Sequence, residues 1–152
     1  MIVTPSIEEN GSHIFQLTKE KNMEGIVGKR RDSIYRINHR SSKEWLKYKH
    51  FKIAETVILG YSENPFSIVV GTLLNNGKYK KLANVEFGFS GKEKMAFRQI
   101  AKQLKIKNER NITWIEPRLK CKVQYLEKTQ TGLLRIASFK GFIFGQTAEE
   151  RI

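Results

Sequence analysis

Three features of the 152-residue sequence predict a mostly β, α+β chain. Runs of β-branched and aromatic residues recur between turn signals, the pattern of short strands. One Asn-Gly pair separates two such runs, a strong hairpin signal. A single long stretch repeats its apolar residues at helical spacing.

Taken in order, "SHIFQLTKEKN" reads as a short helix, with Ser12 as its cap and Ile14, Phe15 and Thr18 on one side. "MEGIVGKR" reads as a strand, a basic loop follows, and "EWLKYKHF" opens the next strand. Alternation puts Trp45, Lys47, Lys49 and Phe51 on one face, and Leu46, Tyr48 and His50 on the other. "ETVILGYS" and "FSIVVGTLL" are β-branched runs. Asn76-Gly77 predicts a type I′ turn, with positive φ at both positions, pairing 66–74 with 79–87. Ser90 and Glu93 have capping-box spacing. Ala96, Phe97, Ile100, Ala101 and Leu104 then form an apolar helix stripe with lysines outside. After a loop that includes Trp114, "RLKCKVQYLEKT" and "GLLRIASFKGF" read as two more strands. Five strands with a helix between the third and fourth predict a small Greek-key barrel of the OB type.

Two domains are expected, residues 1–52 and residues 53–152. The first is too poor in apolar residues for a core of its own and reads as the end of a larger domain. The barrel aromatics Phe66, Tyr79, Phe87, Phe89 and Tyr125 are expected in the core, with a base-stacking platform as the alternative.

Charge is the informative bulk property. Lys and Arg number 28 against 15 Asp and Glu, a net +13. Residues 28–52 carry nine basic and two acidic side chains, net +7. A field of that sign favours a polyanion, and a phosphate-binding surface is the expectation over a merely solvated face. No apolar run approaches the ~20 residues of a membrane span. The N-terminus lacks a signal-peptide pattern, so the cytoplasm is the expected compartment. The single Cys121 is expected as a buried, reduced thiol. His13, His39 and His50 show no zinc spacing with it, and Ser41-Ser42 has no nucleophile-elbow pattern.

Lys47 and Lys49 raise a specific question. Same-face strand neighbours lie ~7 Å apart. Two ammonium groups at that distance repel by roughly 2 kcal/mol at an effective dielectric of 20. An anion between them turns repulsion into two charge-assisted contacts. The alternative is an edge strand whose lysines discourage aggregation. Glu24, at the start of an apolar strand, taken alone reads first as a solvent-facing strand-end residue, but it also suits a hard divalent cation, which is usually bound by one or two carboxylates plus substrate phosphates. Glu24, the basic loop and the paired lysines together describe a nucleotide-phosphate site.

"MEGIVGKR" followed by "RSSKEWLKYK" resembles the last two nucleotidyltransferase motifs of the ATP-dependent DNA ligases. The longer string "EGIVGKRRDSIYRINHRSSKEWLKYK" is similar to the ligase module of bacterial end-joining ligase D. "WIEPRLKCKVQYLEKTQTGLLRIASFKGF" resembles the end of the family's OB domain, with its final motif Arg-x-Pro-x-Phe-Lys-Gly. The resemblance covers about residues 10–142.

It implies that 1–52 is the C-terminal remnant of an adenylation domain and 53–152 an OB domain. It implies Glu24 at the catalytic metal, Mg²⁺ or Mn²⁺, and Lys47 and Lys49 on the nucleotide α-phosphate. Lys29 and Arg40 match basic positions near the nucleotide or DNA backbone, and Arg135 and Lys140 match the final motif that orients the ATP pyrophosphate. ATP, held as an AMP adduct, is the implied cofactor. Nicked or broken duplex DNA is the implied partner, with the Ku end-binder, and a nucleoid association follows. Departures are equally specific. The family's nucleophilic Lys-x-Asp-Gly does not occur in these residues, so the chain alone is expected not to self-adenylate. A separate N-terminal adenylation half is therefore expected as a further partner. Ala137 replaces the motif's proline, and Ile143 a typical basic residue. A non-catalytic OB module for nucleic acid, or a degenerate truncated product, are the competing readings.

Overall fold

The computed structural model describes residues 6–8, 10–34, 37–38 and 43–145. The chain divides into two compact units, Met1–His50 and Phe51–Ile152.

The first unit holds helix α1 (Gly11–Glu20), strand β1 (Gly25–Lys29) and strand β2 (Trp45–Lys49). The helix begins earlier than Ser12. Asn10 is the N-cap residue, with no side-chain cap bond, and its carbonyl accepts from the Ile14 amide at 3.0 Å. Ser12 therefore lies inside the first turn. The expected inner side stands: Ile14 and Phe15 are half-buried and Thr18 is buried. Strands β1 and β2 pair antiparallel from Gly25↔Lys49 to Lys29↔Trp45. Phe51 lies beyond the end of β2.

The second unit is built on one long strand, β3 (Lys52–Glu63). Its first half pairs with β8 (Lys120–Tyr125), and its second half with β7 (Ile112–Ile115). Its other edge pairs with β4 (Phe66–Leu73), which pairs with β5 (Tyr79–Val85). Register shifts at Ile58/Gly60 and Val70/Gly71 bend these strands, as bulges do. β11 (Ser138–Ile143) pairs with the far edge of β8. The segment after β5 closes the sheet, where the Phe139 amide donates to the Phe87 carbonyl at 2.8 Å. The result is the curled, antiparallel OB-type sheet that the strand pattern predicts.

Helix α2 (Gly91–Gln103) follows β5, as the apolar repeat predicts. Ser90 Oγ accepts from the Glu93 amide at 3.2 Å, and the Glu93 carboxylate accepts from the Ser90 amide at 2.7 Å. The inner stripe is narrower than expected. Phe97 and Ala101 are buried and Leu104 is half-buried, but Ala96 and Ile100 face outward. Each of those two lies one residue, about 100° around a 3.6-residue turn, from a buried position.

Other elements correct the sequence reading. The segment after α2 is a β-hairpin, β6 (Lys105–Glu109) with β7, so Trp114 lies in a strand rather than a loop. Its two-residue turn has positive φ at Arg110 (49°) and Asn111 (65°). Arg-Asn is a weak signal for that turn, and β6 is exposed at every position, so no alternation marks it. Conversely, the Asn76-Gly77 turn is not type I′. Only Gly77 has positive φ, 79°, and its amide donates to the Leu74 carbonyl at 3.0 Å. That is a three-residue loop, a tight turn closed by one left-handed residue. The final strand region is split among β9 (Glu127–Lys128), β10 (Leu134–Arg135) and β11.

Ile58, Ile68, Val70, Val85, Val123, Phe97 and Phe139 centre the core of this unit. Phe66 and Tyr125 are buried there, and Phe89 stacks on Phe139 with centroids 4.2 Å apart. Tyr79 and Phe87 are exposed, so the core expectation fails for those two. Cys121 is buried and free, as expected.

Candidate phosphate-binding face

Strand alternation and register together build the face. Paired residues of an antiparallel ladder project to the same side. Gly25, Val27 and Lys29 of β1 therefore share a face with Lys49, Lys47 and Trp45 of β2. The opposite side turns toward α1. Phe15 meets the Tyr48 ring edge at 6.3 Å and stacks on His50 at 3.9 Å. The Thr18 hydroxyl donates to the Phe15 carbonyl at 2.8 Å and lies 2.9 Å from His50 Nε2, which therefore donates to it. The His50 amide donates to the Glu24 carbonyl at 2.9 Å, and the Arg30 amide to the Glu44 carbonyl at 2.8 Å, so both ends of the ladder are extended.

The structure resolves the like-charge question at Lys49. Its ammonium lies 2.7 Å from a Glu24 carboxylate oxygen, and its side chain is 29% exposed. Lys47 remains exposed on the same face. Gly25 makes the approach of Glu24 to β2 feasible. Its φ is +151°, and a Cβ there would overlap the Tyr48 carbonyl oxygen. Lys29 lies over the Trp45 ring, 4.4 Å from its centroid, and the indole N–H donates to Ser33 Oγ at 3.2 Å. In the adjoining loop, the Arg30 guanidinium bonds Asp32 at 2.8 Å and holds its carboxyl below the ordinary range.

Glu24, Lys29, Lys47 and Lys49 thus all belong to the β1–β2 ladder of the first unit, Glu24 and Lys49 at one end and Lys29 at the other. Arg40, with His39, Ser41 and Ser42, lies outside the described residues. Arg135 and Lys140 belong to the second unit, both exposed, on β10 and β11. The Arg135 guanidinium pairs with Glu127 across the β9–β10 ladder at 2.7 Å. Ala137, in the place of the motif proline, packs partly buried against the core. The pairing of Lys29 with Trp45 and the Ser33 anchor were not read from the sequence. Their signal lies in the cross-strand register, not in local spacing.

Comparison with known proteins gives the family. Residues 63–142 match the model of the ATP dependent DNA ligase C terminal region. The chain is 40% identical over 121 residues to the bifunctional non-homologous end joining protein LigD of Bacillus subtilis, covering 80% of this chain and 19% of that protein. Against the SPbeta prophage-derived DNA ligase-like protein LigB of the same organism, identity is 35% over 142 residues, covering 93% of this chain and 49% of that one. Among solved structures, the mycobacterial DNA ligase D complexed with ATP and MES is 27% identical, with a TM-score of 0.58, covering 93% of this chain and 50% of that one. The chain thus spans about half or less of the length of these relatives. With the ligase C-terminal model covering more than half of its residues, and the OB-type sheet lying within that region, the chain belongs to the ATP-dependent DNA ligase family.

Proposed function

We propose that this chain supplies the α-phosphate lysines, a metal-binding carboxylate and the OB domain of a nick-sealing DNA ligase. The observation that carries the reading is the β1–β2 register, which puts Lys47 and Lys49 on one sheet face, with the Glu24 carboxylate 2.7 Å from the Lys49 ammonium, in a chain of this family. In the proposed reaction a lysine amine attacks the ATP α-phosphate, expels pyrophosphate and becomes lysyl-AMP. The AMP passes to a DNA 5′-phosphate, and a 3′-hydroxyl then forms the phosphodiester and releases AMP. Each step builds charge on a phosphate that fixed cations stabilise. Lys47 and Lys49 are the residues assigned to it, with Glu24 orienting the Lys49 ammonium.

Glu24 also fits Mg²⁺ or Mn²⁺, because a single carboxylate plus substrate phosphates is a usual set for such ions. Among the described residues no cluster of three or more His, Cys, Asp or Glu offers a fuller cage. When bound, the ion supplies neutralisation of phosphate charge. Arg135 and Lys140 are assigned to the pyrophosphate, and Lys29 and Arg40 to neighbouring phosphates. Duplex DNA with nicks or ends is the proposed substrate. A Ku-type end-binder is the proposed partner and the nucleoid the proposed location. No helix of the described residues is long and apolar enough to cross a membrane.

On this reading the nucleophilic lysine and the adenine pocket come from polypeptide outside these residues. Incubation with α-labelled ATP and Mg²⁺ leaves the isolated chain unlabelled, and covalent label on it would overturn that assignment. Added adenylation half of a LigD ligase domain then restores sealing, which Lys47→Ala and Lys49→Ala abolish. The net charge of +13 favours a second reading, a non-catalytic OB module for nucleic acid. DNA binding without any restored sealing supports that alternative.

A further inference from the structure

The three lysines of the β1–β2 face form a row rather than a cluster. Lys49 and Lys47 occupy alternate positions of β2, and Lys29 stands opposite Trp45, the next same-face position. From Lys49 to Trp45 the strand advances four residues, about 13 Å at 3.3 Å per residue. Both end lysines are tethered. Glu24 holds the Lys49 ammonium at one end, and the Trp45 ring holds the Lys29 ammonium at the other. Two cations held at opposite ends of a ladder do not converge on one phosphate group. A nucleic-acid strand, with phosphates repeating along its backbone, meets such a row naturally.

We propose that Trp45 is a positioning residue. Anchored by its indole hydrogen bond to Ser33, it aims Lys29 at a phosphodiester of the DNA strand, beside the phosphate taken by Lys47 and Lys49. A ring face attracts an ammonium group while leaving its N–H donors open to a ligand. Lys29 is exposed in this arrangement, so its donors are accessible. The inference rests on the ligase reading only for the identity of the neighbouring phosphate.

The test uses the whole chain, a nicked duplex oligonucleotide and no ligation chemistry, so it stands or falls separately from the sealing experiment. Lys29→Gln lowers the slope of log affinity against log salt by about 0.9, the loss of one phosphate contact. Trp45→Leu, which changes no charge, weakens DNA binding about threefold, the scale of an exposed cation–π contact. Trp45→Phe recovers most of that loss. In the Lys29→Gln background, Trp45→Leu costs nothing further. Additive losses overturn the positioning role. If Trp45→Leu unfolds the first unit, as circular dichroism would show, Lys29→Gln still decides, because an unchanged salt slope overturns the proposal.

Discussion

Cys121 and Glu24 show how single side chains take their chemistry from their neighbours. Burial pushes the Cys121 thiol from 9.0 up to about 11, while a hydrogen bond with Thr56 pulls the other way. The folded chain therefore keeps this proton to higher pH than the unfolded chain. Its contribution to stability is complete below pH 9.0 and is lost as pH rises toward about 11. The full loss amounts to roughly 2–3 kcal/mol, from 1.36 kcal/mol per pKa unit. Urea midpoints measured across that window fall for the native chain and fall less for Cys121→Ala. Equal slopes for the two proteins would locate the effect elsewhere. That Cys121 is buried and reduced is legible from its place in "LKCKVQYL", because alternate residues of that strand face the core. That Glu24 neutralises Lys49 is not legible. The two lie 25 positions apart, and only strand pairing makes them neighbours.

Secondary structure was legible at several places that a local rule governs, though not at the Ser12 cap or in the type of the Asn76-Gly77 turn. The α2 capping box is such a rule, since Ser90 and Glu93 satisfy each other's backbone amides within four residues. Ser90→Ala removes one half of it and is expected to cost about 1 kcal/mol. The chemical-denaturation midpoint falls while the denaturant slope stays constant. An unchanged midpoint would mean that the cap contributes nothing to the fold. The β6–β7 hairpin escaped because its outer strand is exposed at every position and carries no period. Tyr79 and Phe87 escaped for a related reason. Hydrophobic character favours burial but does not compel it, and strand β5 ends before Phe87.

The two units differ in what they bury. Among the described residues of Met1–His50, Thr18 is the one buried residue, whereas Phe51–Ile152 holds the whole aromatic and aliphatic core. Local opening is easiest where few apolar contacts must be broken. Amides of β1 and β2 are therefore expected to exchange with deuterium well before those of β3, β4 and β8. Equal protection in both sets would show that the β1–β2 ladder is as stable as the barrel. The uneven burial was visible in composition, since residues 1–52 are apolar-poor. So were the element types, the basic stretch and the motifs that carry the ligase resemblance, because each depends on residues close in sequence. The tertiary structure alone decided the cross-strand partners: Lys29 on Trp45, Lys49 on Glu24, Arg135 on Glu127. The β1–β2 connection, residues 30–44, leaves many registers open to local pattern. A one-residue slip would send every lysine of β2 to the opposite face from Lys29. Alternation puts Tyr48 and His50 on the face away from the lysines, but their packing on Phe15 joins residues far apart in the sequence and is set by the tertiary structure alone.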